Sequence, residues 1–176
     1  MTEPVSFLTK SLNNVTLPAT DVAAYDAFCK KVSSLRKAVS ATNGIRSELS
    51  SNLSNLKLAV QDMPAQSGDF IKQIYDLEQQ MNAINTNLNG DASLSRREFE
   101  TAPSLSGRAS LVQDAMWSHT SAPTETFKEN YRIAVKQLKP IINDLKSIEG
   151  RISDLEKALD LKGAPYTPGR WPVLKD

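Results

Sequence analysis

The stretch from Phe127 to Leu159 constrains the fold of this chain more than any other. Its apolar residues fall at Phe127, Tyr131, Ala134, Leu138, Ile141, Leu145, Ile148, Ile152, Leu155 and Leu159. These steps of four and three draw a single stripe along a long helix, and Val135 and Ile142 widen it. The other face carries charges of both signs, from Lys128 and Glu129 to Glu156 and Lys157, and should meet water. Such a helix cannot bury its stripe alone. It needs partner segments with stripes of their own, and the rest of the chain supplies them.

The first partner is read from about Asp21 to about Asp62, with Thr20 as its N-cap and Asp21 in its first turn. Its stripe runs through Val22, Tyr25, Phe28 with Cys29, Val32, Leu35, Val39, Thr42, Ile45, Leu49, Leu53, Leu56 and Val60. Asn43-Gly44 would elsewhere signal a turn. The stripe keeps its phase across the pair, so the helix is read as continuous, with a break there as the alternative. After Met63-Pro64-Ala65-Gln66, Ser67 can cap a second helix from about Gly68 to Asn89. That helix carries Ile71, Ile74, Leu77, Met81, Ile84 and Leu88, and Gly90 stops it. A connection from Gly90 to Ala102 is longer than packed helices usually need. Pro103 is placed in the first turn of a third helix bearing Leu105, Ala109, Val112 and Met116, which ends near Trp117. Thr126 and Glu129 have capping-box spacing at the start of the last helix, and Gly163 closes it. Pro140 lies inside it, off the stripe, and is expected to bend it.

The reading is therefore an all-α antiparallel helical bundle of three rods, the middle one broken into two helices. A four-helix up-down bundle is the alternative. Residues 20–163 form the bundle. Residues 1–19 are an extended linker, or the last strand of a domain upstream, because Val5 to Leu12 reads as a strand with no second strand beside it. Residues 164–176 form an irregular tail rich in Pro and Gly.

Several function classes lose support at this stage. With 21 basic and 20 acidic residues the net charge is +1, and no segment is a basic block, which speaks against a nucleic-acid surface. No apolar run reaches the length of a membrane span. Met1 to Leu12 lacks the basic start and apolar stretch of a signal peptide. His119 is the one histidine and Cys29 the one cysteine, so neither a metal site nor a nucleophile with its base is supported, and no cofactor is implied. His119 reads as a capping or surface residue and Cys29 as a small buried thiol. Carboxylates such as Glu98 and Glu100 lack the enclosing cleft that glycoside hydrolysis needs. Glycines form no phosphate-binding loop. The chain is read as non-enzymatic.

What remains is a set of arginine and aromatic residues outside the stripes: Arg96, Arg97, Phe99, Arg108, Trp117, Arg170 and Trp171. Trp and Arg are enriched where one protein surface docks on another, so these form a candidate interaction surface. Their plainer role is to cover the ends of the bundle, with the arginines pairing with Glu98 or Glu100.

The connections also carry a resemblance. Ser11-Leu12-Asn13-Asn14-Val15-Thr16-Leu17-Pro18, Leu88-Asn89-Gly90-Asp91 with Arg96-Arg97-Glu98, Trp117-Ser118 with Thr120-Ser121-Ala122-Pro123-Thr124, and Gly163-Ala164-Pro165-Tyr166-Thr167-Pro168-Gly169-Arg170 occur in that order. Together they resemble the C-terminal region of the large bacterial BNR-repeat, sortilin-like β-propeller proteins often labelled glycosyl hydrolases. Tyr166 stands where that family would place tryptophan. The resemblance implies an exported protein in which a propeller and a small β-sandwich-like segment precede the helices. It also implies that any hydrolytic site lies on the propeller, whose Ser-x-Asp-x-Gly-x-x-Trp signature does not occur here. The expected role is a structural or protein-interacting C-terminal module, monomeric, whose partners are those upstream domains or another protein. A freestanding coiled-coil adaptor that oligomerises through exposed stripe residues is the alternative. Glycoside hydrolysis by the chain itself has the least support.

Overall fold

A computed structural model describes residues 5–8, 17–63 and 68–168. The described residues form helices and no strand: α1 (Val22–Gln61), α2 (Gly68–Asn89), α3 (Ala92–Arg96), α4 (Leu105–Ser118) and α5 (Glu125–Leu161). The chain is an all-α bundle.

Side-chain pairs give the helix directions. Numbering rises on α1 as it falls on α2, since Lys57 meets Glu78 and Asn43 meets Asn89. It falls on α4 as well, where Arg36 meets Gln113 and Tyr25 meets Met116. Helices α2 and α4 thus follow each other along α1 as one interrupted rod. Helix α5 runs alongside α1, with the Phe28 and Tyr131 rings edge to face at 5.6 Å, and against the broken rod, with Arg108 meeting Asn130 and Arg151 meeting Gln80.

A small ring of hydrogen bonds marks the break. Asn89 Nδ2 donates to Asn43 Oδ1 (2.9 Å), Asn43 Nδ2 to Ser106 Oγ (3.5 Å), and Ser106 Oγ to Asn89 Oδ1 (3.0 Å). One side chain from each of α1, α2 and α4 closes the ring. Asn43 is therefore a helix-interior polar residue whose amide serves the joint, and α1 passes unbroken through Asn43-Gly44.

Every buried residue of α5, from Ala134 through Leu138, Ile141, Leu145, Ile148, Ile152 and Leu155 to Leu159, belongs to the stripe. They share one core with Leu35, Val39, Leu49, Leu53, Leu56 and Val60 of α1, with α2, and with Leu105 and Ala109 of α4. A smaller cluster of Val32, Val112, Ala115 and Met116, flanked by Tyr25, Phe28, Cys29 and Phe127, fills the end where α1 begins. Cys29 is half-buried there.

Several sequence expectations need correction. Val22, Ile45 and Ile71 are exposed. Val22 and Ile71 lie in the opening turns of their helices, outside the packed seam. At Ile45 the seam steps from Thr42 by four to half-buried Arg46 and then to Leu49, which leaves Ile45 outward. The caps move by one or two residues: Asp21, not Thr20, accepts from Ala24 N; Ser104 caps α4, so Pro103 precedes the helix; Thr124, not Thr126, caps α5. In each case the residue with extended backbone just before the first turn takes the role. The long connection contains a helix of its own, α3, capped by Asp91. Residues 5–8 are exposed and not in a strand, while residues 9–16, Pro64 to Ser67 and 169–176 lie outside the described residues. Helix α5 continues through Pro140, whose ring is exposed, so the carbonyl it deprives of a donor can be hydrated.

Two helices end on left-handed glycines. At Gly90 (φ 86°) the amide bonds Thr86 O. At Gly163 (φ 73°) the glycine amide bonds Asp160 O, the Ala164 amide bonds Leu159 O, and buried Ala164 packs with Leu159 in the core. This double bond pattern is a Schellman cap. Gly44 has an ordinary helical backbone, and a Cβ there meets nothing within 4 Å. The same substitution should therefore have opposite signs. Gly44→Ala is expected to stabilise the fold by about 0.5–1 kcal/mol, and Gly163→Ala to destabilise it by about 1 kcal/mol. Thermal unfolding of the two variants checks this, and equal signs would contradict the cap.

Candidate interaction surface

Residues 91–103 leave the bundle and return to it at one place. Gly90 and Ser104 are adjacent, a Cβ on Gly90 lying 3.6 Å from that of Ser104. Every residue from Asp91 to Pro103 is exposed, so this excursion adds nothing to the core. It is nonetheless ordered by its own bonds. Asp91 Oδ1 accepts from Ser93 Oγ (2.7 Å), Ser93 N (2.8 Å) and Leu94 N (3.4 Å). The Ser93 hydroxyl, then the Ser93 amide, hold the Asp91 carboxyl below the ordinary carboxylate range. Arg97 N and Phe99 N both bond Leu94 O, Glu98 N bonds Ser95 O, and Glu98 takes a positive φ of 58°. Arg96, Arg97 and Phe99 are all exposed on this projection, Phe99 by 60%.

The other candidates do not join them. Arg108 faces inward, donating from Nη1 to Asn130 Oδ1 (2.7 Å) with its Nε shielded from solvent, so it ties α4 to α5 and is not a free contact. Trp117 is 90% exposed at the far end of α4 and does not cover the bundle end. At 1.5 Å per residue it lies about 18 Å along the helix from Leu105. Arg170 and Trp171 lie outside the described residues. No ion pair among the described residues joins Arg96 or Arg97 to Glu98 or Glu100.

Sequence reasoning missed a second surface. Between α1 and α5 runs an open groove of about 460 Å³, whose lining residues all come from those two helices. Its floor is Leu35 and Leu138, and Lys30, Lys31 and Lys139 stand along it. The signal was present but divided between two distant segments. Lys30, Lys31, Arg36, Lys37 and Arg46 occur with no acid between Asp26 and Glu48, and Arg132, Lys136 and Lys139 occur with none between Glu129 and Asp144. Folding lays the two segments side by side.

At the same end, Tyr25 OH donates to Met116 O (2.8 Å) and His119 O (2.6 Å). His119 is the exposed C-cap of α4, consistent with a capping residue. Among the described residues no group of three or more His, Cys, Asp or Glu is placed to hold a metal ion. No described helix is long and apolar enough to cross a membrane. Comparison with protein-family models, with curated proteins and with solved structures gives no match.

Proposed function

We propose that this chain is a non-catalytic helical module whose work is to hold a protein partner. The observation that supports this most is the excursion at residues 91–103, which is fully exposed, internally bonded and outside the core. A loop that only joined α2 to α4 could be far shorter, because Gly90 and Ser104 already touch. Rigid presentation of arginine and aromatic side chains is what a docking surface needs, since little entropy is then lost on binding. On the sequence resemblance, the partner is the propeller and β-sandwich-like region upstream in an exported protein, of which this chain is the C-terminal module.

Arg97→Ala and Phe99→Ala, both on the excursion, test the reading. Each is expected to weaken association with the upstream domains by about tenfold or more, the scale of an interface anchor, with helicity by circular dichroism unchanged. Full association with both substitutions in place would remove these residues from the interface. An immunoblot of fractionated source cells tests the parent protein. A band much larger than this chain in the exported fraction supports the propeller reading, whereas a cytosolic band at the chain's own mass overturns it.

A further inference from the structure

The α1–α5 groove has the dimensions and chemistry of a vacant helix position. Leu35 and Leu138 form its floor, Ala38, Val135 and Ile142 its half-buried walls, and exposed Lys30, Lys31 and Lys139 its charged positions. Two turns beyond Ala38, exposed Ile45 continues the same face of α1. From Lys30 to Ile45 the face extends about 22 Å, or four helical turns. Adjacent helices offer ridges and a groove into which a further helix packs, anchored by residues three and four apart.

Charge identifies the occupant. The two helix segments that flank the groove hold basic residues and no acid between Asp26 and Glu48 or between Glu129 and Asp144, in a chain whose net charge is only +1. Some of these cations are engaged elsewhere: Arg36 bonds Gln113, and Arg132 pairs with Glu129 and Glu125. Lys30, Lys31 and Lys139 take part in none of the ion pairs among the described residues. We infer that the groove docks an amphipathic helix of a partner protein, its apolar edge against Ala38, Val135 and Ile142 and its flanking carboxylates against these lysines. A fatty anion would match the charge, but such ligands are held in sites that enclose most of their surface, and this groove is open along its length. The inference uses no residue of the 91–103 excursion and not Trp117, so it stands or falls apart from that surface.

The test uses the full chain and a fluorescent synthetic helix of about 18 residues with a leucine seam and glutamates on both flanks. Fluorescence anisotropy should show this peptide binding at least tenfold more tightly than a scrambled peptide of the same composition, or than its Glu→Lys counterpart, and more weakly as salt is raised. The combined Lys30→Glu, Lys31→Glu and Lys139→Glu variant replaces attraction by repulsion at exposed positions. It should weaken the acidic peptide by about tenfold or more and reverse the preference for peptide charge. Ser34→Trp, also at an exposed lining position, should fill the groove and weaken binding without altering helicity. Equal binding of the acidic and scrambled peptides, or binding indifferent to the charge reversal, would overturn the proposal. Saturable binding of laurate without peptide binding would make the groove a lipid site and also overturn it. A dimer dissociated by Ser34→Trp would do the same, because a second copy would then be the occupant.

Discussion

Leu53→Ala is expected to lower the unfolding free energy by about 2–5 kcal/mol, whereas Leu58→Ala, on the same helix, should change it by less than about 0.5 kcal/mol. The chemistry of the two substitutions is identical, so the difference isolates burial. Leu53 is 1% exposed, within the core shared by the three rods, and Leu58 is 61% exposed. Truncating Leu53 removes the transfer free energy of its methyl groups and leaves a cavity that side chains on rigid neighbouring helices can only partly refill. Urea denaturation followed by circular dichroism checks the pair. The midpoint should fall for Leu53→Ala with an unchanged slope, since the surface exposed on unfolding stays nearly the same. A loss below about 1 kcal/mol would mean that the seam of α1 is rotated from where the structure places it.

The seam itself was legible because burial in a bundle is written into the spacing of apolar residues. All of the buried α5 residues could be read that way, while the bounds of α2 follow from the cap and stop signals at Ser67 and Gly90. Spacing becomes ambiguous where a step of three and a step of four both lead to an apolar or long side chain. Ile45 and Arg46 are that case, and in the fold Arg46 is the half-buried one while Ile45 stays exposed. Helix caps lie one or two residues from where the sequence puts them because Thr20 and Asp21, or Thr124 and Thr126, have similar intrinsic capping ability. Only the backbone angle decides between them. Helix α3 is too short for periodicity to reveal. Its one sequence signal is Asp91 directly after the left-handed Gly90, a capping residue placed where a new helix can begin.

The candidate surfaces were less legible, for a different reason. Arg108 and Trp117 are both non-stripe residues near helix ends, and nothing in their sequence neighbourhood says that one faces Asn130 and the other water. The basic groove depends on residues about a hundred positions apart. Reading each segment alone gives short, unremarked runs of lysine and arginine, and the whole-chain charge averages them against acids that lie elsewhere. Only the parallel placement of α1 and α5 makes one surface of them.

Tyr25→Phe should cost about 1–2 kcal/mol at neutral pH through the loss of one hydroxyl. The last carbonyls of a helix lack intrahelical donors, and Tyr25 OH supplies one that is shared between Met116 O and His119 O at the end of α4. The neighbouring Ala19 amide does the same for Thr120 O at 2.8 Å. The start of α1 is thereby fastened to the turn between α4 and α5. Ionisation of the phenol would undo the fastening, because a phenolate has no proton to donate to either carbonyl. Partial burial, then the hydrogen bond and charge of Cys29 and the charge of Asp26, push the Tyr25 phenol up to about 12. A raised phenol pKa means that the folded state favours the neutral form, so the stabilisation is complete below the ordinary value of about 10 and fades as pH rises through about 12. Solvent reaches part of the ring, which reduces that contribution to about 1 kcal/mol. Lysines and the other tyrosines titrate in the same range, so the informative quantity is the stability difference between wild type and Tyr25→Phe. It should be constant from pH 7 to about 9 and shrink as the pH is raised towards 12. A difference that stays constant throughout would mean that the hydroxyl is not shared between these carbonyls, and that α1 is held at this end by packing and by the bond from the Ala19 amide to Thr120 O.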